Sequence, residues 1–340
     1  MKIAIGYEVI KGPWGGGNKF VDELKKALIK EGHLTVNNLS DNDIDIILII
    51  DPRNEIKNIT FGAGSILRYL LFKNPNAIVV HRINECDERK KTKTMNYKLR
   101  LANFCADQTV VVGEWMKSLD IFHRSKKQDI LTIKNGSNQT IFNPKGYNKW
   151  NNNSKFKIVT HHWSGNWMKG FDIYQKFDQM LNIKKISKLF EFTYVGNLPK
   201  GFSFKNAKYI KPLNGKSLAK ELKKHHAYLT ASINEPGGNH QNEAALCGLP
   251  LLYRDSGCLP EYCNGYGVSF NENNFEDKLF DLKKNYNLFA NKMDTYPYND
   301  IKTNNAYIEL FHELISQKHK LIKKRNFFKS PVKFIFNYIL

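Results

Sequence analysis

Two glutamates, Glu235 and Glu243, stand in the stretch INEPGGNHQNEAALCGLPLLY, residues 233 to 253. Between them lie Gly237, Gly238 and the polar run Asn239, His240, Gln241 and Asn242. An ionised carboxylate accepts several hydrogen bonds at once, so it pairs well with vicinal hydroxyls. Glycine carries no side chain, so a phosphate can come close to its backbone. From Asn239 the segment reads as a helix, with Asn239 able to cap it, Gly248 able to end it and Pro250 following. Glu235 then precedes the helix N-terminus and Glu243 lies about one turn inside it. The two carboxylates can reach opposite ends of one extended ligand. The plain alternative is a strand–loop–helix connection that merely contains glutamates.

Three further loops carry candidate chemistry. In GYEVIKGPWGGGNKF, Gly15, Gly16 and Gly17 precede a helix whose first N–H groups favour an anion. No Gly-Lys-Ser/Thr follows and no GxGxxG is completed, so this is neither a Walker loop nor a dinucleotide fingerprint. Taken alone it is equally a flexible turn. In VVHRINECDERK, His81 and Arg82 end a buried strand, and both, with Asn84, can hydrogen-bond a sugar hydroxyl. Asp87, Glu88 and Arg89 read instead as a surface salt-bridge cluster. In THHWSGNWMKGFDIY, Lys169 comes just before Gly170 and a helix starting near Phe171. A lysine beside a helix N-terminus can hold a diphosphate. His161 and His162 are adjacent on a strand and point to opposite faces, which suits hydrogen bonding better than a shared metal ion. Asp43 and Asp45 form an Asp-x-Asp at the opening of a buried strand and read as structural. The pattern implies neither a metal nor a cofactor.

The elements that must position these loops alternate between strand and helix. KIAIGY, DIILIID, NAIVVHR, QTVVVG and ILTIKNG are strands of the first half, and KFVDELKKALIKEGH is a helix with Phe20, Leu24, Ala27 and Leu28 on one face and Gly32 at its C-cap. Continuous apolar strands mark a sheet buried on both faces. The polar stretch NPKGYNKWNNNSK is the linker. Beyond it FKIVTHH, FEFTYVG, AKYI, AYLTAS, LPLLYR and GVSF are strands, with FDIYQKFDQMLN and SLAKELKKH the clearest helices between them. Strands separated by helices require right-handed crossovers and parallel sheets. The expected class is α/β, with two Rossmann-like doubly wound domains, residues 1–150 and 151–302, facing each other across a cleft. In such sheets ligands bind at the carboxyl ends of the strands, where the four loops above lie.

A length of 340 residues suits two domains, and 41% hydrophobic with 13% aromatic residues is enough for real cores. No apolar run reaches the roughly 20 residues of a membrane helix. The start MKIAIGYEVIKGPW has no signal-peptide pattern. The five cysteines, Cys86, Cys105, Cys247, Cys258 and Cys263, are irregularly spaced without a CxxC, which fits reduced thiols in a cytoplasm. The net charge of +20 is spread over helix surfaces and concentrated only at the C-terminus.

The ordered set of motifs resembles a GT-B glycosyltransferase, specifically the retaining glycosyltransferase family 4, the "glycosyl transferases group 1" type. Glu235, Gly238, Glu243, Ala244, Gly248 and Pro250 fall in register with that family's Glu-x7-Glu signature. SGCLPEY, with Gly257 and Glu261, KNGSNQTIFNP, MKGFDIY and PWGGG…LKKALIKEGH resemble its other segments in order along nearly the whole chain. The resemblance implies that Glu243 holds the ribose and Glu235 contacts hydroxyls of the transferred sugar. It implies that Gly237 and Gly238 meet the diphosphate, that Lys169 neutralises it, and that His81 lies beside the donor sugar. Gly16 and Gly17 would approach the leaving phosphate and the acceptor. Asn239 and His240 lie near the sugar. The family's arginine, five residues before the lysine, is here Ser164, so the diphosphate loses a cation unless Arg82 or another residue supplies one.

The implied activity is metal-independent transfer of a sugar, with retention, from a UDP- or GDP-sugar to a glycan or lipid-linked glycan in bacterial surface polysaccharide synthesis. The departing phosphate would take the acceptor proton, so a glycosidase-type carboxylate pair is not required. NNAYIELFHELISQ, residues 303–316, resembles the helix that crosses back to the first domain. Residues 317–340 form a tail of Lys318, Lys320, Lys323, Lys324, Arg325 and Lys329 interleaved with Leu321, Ile322, Phe327 and Phe328, suited to the anionic inner face of a membrane. The competing readings are a sugar-nucleotide epimerase of the same fold and, more distantly, a nucleic-acid or anionic-surface binder. The intact site motif argues against a nucleic-acid partner.

Overall fold

A computed structural model describes residues 1–10, 15–53, 56–122 and 130–325. It divides into two compact units, Met1–Lys134 with Lys302–Leu340, and Asn135–Ile301. Each contains one six-stranded, wholly parallel sheet. This is the α/β class that alternating apolar strands and amphipathic helices predict.

In the first unit the strands are β1 (Lys2–Ile5), β2 (Leu34–Val36), β3 (Ile46–Ile49), β4 (Ile78–Ile83), β5 (Gln108–Val111) and β6 (Ile130–Thr132), in the order β2-β1-β3-β4-β5-β6. Strand β2 has no counterpart among the expected strands, because it is three residues long at the sheet edge with Leu34 exposed. The helix Gly16–Lys30 buries Phe20, Val21, Leu24 and Leu28. Gly32 follows it in the left-handed region at φ 78°, where glycine has no Cβ penalty. Tyr307, Leu310, Phe311 and Leu314 of the helix Asp300–Ser316 join the same core.

The Asp-x-Asp has the structural role its position suggests. Lys2 Nζ pairs with Asp41 at 3.1 Å and Asp43 at 2.7 Å, and Asp45 accepts the Lys2 backbone N–H at 2.8 Å. A second ion pair is deeper. Arg325 donates from Nε and Nη2 to Asp107 at 2.8 and 2.9 Å, and also to the carbonyls of Pro75 and Ala77. It anchors the end of the helix Lys318–Lys324 at the amino-terminal ends of β4 and β5. The tail from residue 326 onward lies outside the described residues.

In the second unit the strands are β7 (Phe156–His162), β8 (Phe190–Gly196), β9 (Lys208–Ile210), β10 (Ala227–Thr230), β11 (Leu251–Arg254) and β12 (Gly267–Phe270). Their order is β12-β11-β10-β7-β8-β9. Numbered within the unit this is 3-2-1-4-5-6 read from β9, the dinucleotide-fold order, with its topological switch point between β7 and β10. The unit starts at Asn135. Trp150 packs on Phe156 and Tyr286, and Tyr147 shares a hydrogen bond of 2.8 Å with Tyr286, so residues 135–150 belong to this core. All five cysteines are buried thiols.

Candidate functional site

Chain crossovers leave the sheet in opposite directions at a switch point, and in such sheets ligands bind beside the carboxyl ends of the two strands there, here β7 and β10. The loops after these strands are 163–170 and 231–239, and they carry Ser164, Lys169, Glu235, Gly237, Gly238 and Asn239. Both loops are tied down. Asn166 caps the short turn Trp167–Lys169 by accepting from Met168 N at 2.9 Å. Gly170 then takes φ 97°, and a Cβ there would lie 2.4 Å from the Ala231 Cβ, so only glycine lets the two loops touch. Ile233 N donates to the Met168 carbonyl at 2.8 Å.

The first carboxylate is met from this neighbouring loop. Lys169 Nζ forms an ion pair with Glu235 Oε2, with side chains only 12% and 5% exposed. Asn234 sits in the left-handed region at φ 50° and donates its N–H to Ser256 Oγ at 2.9 Å. The Glu235 carbonyl accepts from Cys258 N at 2.9 Å. Gly257, at φ 57°, leaves no room for a Cβ, which would lie 2.5 Å from Glu235 N. The segment 256–258 therefore forms the floor under Glu235.

The second carboxylate is met from the end of β7. His161 Nε2 lies 2.8 Å from Glu243 Oε2, with both side chains buried. A carboxylate only accepts, so Nε2 carries the proton. The two adjacent histidines diverge as a strand requires. His162 Nε2 instead meets Tyr174 OH at 2.7 Å, and its ring packs edge-on against His240, 4.7 Å away. His240 Nε2 meets Thr230 Oγ1 at 2.7 Å. Burial lowers the His240 pKa to about 3 and pulls His162 well down, so both rings are neutral. Among the described residues no group of three His, Cys, Asp or Glu side chains could hold a metal ion.

The glycines between the carboxylates are held by side-chain amides. Asn135 Nδ2 donates to the Gly237 carbonyl and Gln241 Nε2 to the Gly238 carbonyl, each at 2.6 Å. A Cβ on Gly238 would lie 2.6 Å from the His240 ring. The helix His240–Leu246 follows, with Gly248 at φ 96° beyond its end. The capping expectation for Asn239 is corrected. Asn239 occupies the N-cap position at φ −94°, ψ −19°, and its side chain makes no capping bond. A cap needs an extended backbone to swing the side-chain oxygen over the first N–H groups, and this residue is already helical. Ser164 is half-buried, and its Oγ accepts from Asn166 N at 3.2 Å.

In the first unit, Gly16 and Gly17 form the first turn of the helix Gly16–Lys30, with Gly15 at its N-cap. Residues 11–14 of that glycine loop lie outside the described residues. Alternation along β4 sends His81 and Arg82 to opposite faces of the sheet. Arg82 is buried with its guanidinium 4.0 Å from the centroid of the Phe20 ring and close to Tyr307. His81 is fully buried. Its Nδ1 meets Asn103 Oδ1 at 3.1 Å, an oxygen that also accepts from Thr109 Oγ1 at 2.7 Å. That arrangement puts the proton on Nδ1 and leaves Nε2 as an acceptor, with no hydrogen-bond partner among the described residues. Burial lowers the ring's pKa to about 4.

Three supports of the site escaped sequence reasoning: His161 as the partner of Glu243, Asn135 as the clamp on Gly237, and Arg254. Arg254 had a usable signal. It is a cation at the end of a continuous apolar strand, as Arg82 is.

No protein-family model matches this chain, and no curated protein matches it. Solved structures do. A sucrose-phosphate synthase from Thermosynechococcus elongatus shares 13% identity over 93% of this chain and 99% of its own, with a TM-score of 0.65. Anabaena HepE in complex with UDP and glucose shares 12% identity over 92% and 99%, with a TM-score of 0.63. The catalytic domain of starch synthase IV from Arabidopsis thaliana, bound to ADP and acarbose, shares 13% over 93% and 99%, with a TM-score of 0.66. At such identities the likeness shows the fold alone, and that fold is GT-B.

Proposed function

We propose that this chain is a retaining glycosyltransferase that moves a sugar from a nucleotide-diphosphate sugar to a glycan or lipid-linked glycan. The observation that carries the reading is the pairing at the switch point, Lys169 with Glu235 and His161 with Glu243, with Gly237 and Gly238 between the two carboxylates. It sets a cation, two oriented acceptors and two glycines at the strand ends of one sheet, which is the donor set that a ribose, a diphosphate and a hexose together require. Two of the structurally similar proteins are described with UDP or ADP bound, which supports a nucleotide donor, UDP- or GDP-linked, here.

Lys169, with the N-terminus of the helix Phe171–Met180 beside it, stabilises charge growing on the leaving diphosphate. Glu243, held by His161, accepts from the ribose hydroxyls. Glu235 accepts from hydroxyls of the transferred sugar, and Gly237 and Gly238 let the diphosphate approach. His81 offers neutral Nε2 as an acceptor for a hydroxyl, and Gly16 and Gly17 approach the leaving phosphate and the acceptor. Neither step draws on a metal. The protein works at the cytoplasmic face of a membrane, in surface polysaccharide synthesis. Exposed Lys320, Lys323 and Lys324 on the helix Lys318–Lys324 support that placement, and no described helix is long and apolar enough to span a bilayer.

The test is a panel of labelled nucleotide sugars with and without acceptor glycans. Transfer, or slow hydrolysis, of at least one donor is expected, with nucleotide affinity lost in Glu243→Ala. An enzyme that turns over no donor, together with unchanged nucleotide affinity in Glu243→Ala, rejects the reading. Interconversion of the donor without any acceptor identifies an epimerase instead.

A further inference from the structure

Arg254 ends β11 with 3% of its surface exposed, and its guanidinium binds both candidate loops. Nη1 and Nη2 reach the two carboxylate oxygens of Asp172 at 3.2 and 2.5 Å, in the first turn of the helix that follows Lys169. Nη1 also donates to the Ala231 carbonyl at 3.1 Å, at the start of the loop that carries Glu235. Nη2 reaches exposed Glu272 at 3.0 Å. Above this anchor the loops touch again at Gly170 and Ala231, at Met168 and Ile233, and at Lys169 and Glu235. Arg254 is the base of a ladder whose top rung is the proposed catalytic pair.

Charge at this helix end makes a second demand on Arg254. Asp172 suits the helix dipole, but an uncompensated carboxylate one turn from Lys169 opposes an incoming diphosphate. A planar, bidentate cation both cancels that charge and fixes the helix end, which lysine cannot do. Ser164 stands where a further cation is expected, so the potential at this helix terminus depends on what neutralises Asp172.

We infer that Arg254 is a positioning residue for diphosphate recognition: it holds the Lys169 and Glu235 loops in register and cancels the Asp172 charge at the helix N-terminus. This rests on the reading of these strand ends as a nucleotide-diphosphate-sugar site. The consequence is confined to the diphosphate, because Glu243 and His161 at the ribose end make no contact with Arg254.

Calorimetry with uridine and UDP, and with guanosine and GDP in parallel, tests it. In Arg254→Lys the affinity for the diphosphate should fall by about tenfold, the loss of one good charge-assisted contact, while the nucleoside binds unchanged. Lys169→Ala should lose the same increment, and the double variant little more than Lys169→Ala alone. Arg254→Met combined with Asp172→Asn removes both members of the buried pair and should recover part of the increment. A wild-type ratio of diphosphate to nucleoside affinity in Arg254→Lys overturns the inference, as does an equal loss for nucleoside and diphosphate. Wild-type protein that binds neither diphosphate rejects the donor reading itself, a result distinct from either.

Discussion

His161 Nε2 and Glu243 Oε2, 82 positions apart in the chain, lie 2.8 Å apart in the second unit. The histidine is the penultimate residue of β7 and the glutamate sits in the helix after β10, so the switch point itself brings them together. Replacing His161 by alanine leaves a buried carboxylate without this donor. Urea unfolding should show a loss of about 1–3 kcal/mol. Nucleotide affinity should fall with it, and His161→Gln, which keeps a donor, should recover part of both.

Lys169 is the cation nearest the proposed leaving group. Lys169→Met keeps the bulk of the side chain and removes the charge. Steady-state kinetics with the cognate donor should show kcat reduced by about 10²–10³-fold, the scale for losing one electrostatic stabiliser of the transition state. A rise in KM alone, with kcat intact, would remove Lys169 from the chemistry.

Stability should decline in mild acid. His81 and His240 are neutral in the fold, with pKa values lowered to about 4 and about 3 by burial. The unfolded chain takes up these protons near pH 6.5, so in that window it binds more protons than the native state, and stability rises with pH. The stabilisation is whole above about pH 6.5 and is lost progressively as the pH falls toward 4. Chemical denaturation between pH 7.5 and 4.5 checks this, and His81→Asn should flatten the profile.

Arg325 and Asp107 close the chain's last described helix onto the first sheet. Removing one partner strands a buried charge, so Asp107→Ala should cost about 3–5 kcal/mol, read by urea denaturation. Replacing both residues together by apolar ones should cost much less than the single change.

Much of the fold was legible because buried parallel strands advertise themselves. DIILI, FKIVT and AYLTA are largely apolar runs between amphipathic helices, and the loops following the last two are the ones that carry Lys169 and Glu235. Gly32 and Gly248 marked helix ends because each takes a positive φ that other residues resist. Strand β2 was not legible, since three half-exposed residues at an edge leave no pattern. The Asn239 cap misled because residue type records what a side chain can do, while backbone φ and ψ decide whether it does.

The amino-acid sequence by itself determined the α/β class, the strand–loop–helix units and the residues offered at the strand ends, because these follow from local periodicity and from the chemistry of single side chains. Only the tertiary structure decided the partners. Which cation meets Glu235, which ring holds Glu243 and how Arg254 reaches Asp172 depend on strand order, and strand order is set by the packing of whole sheets and helices rather than by any short run of residues.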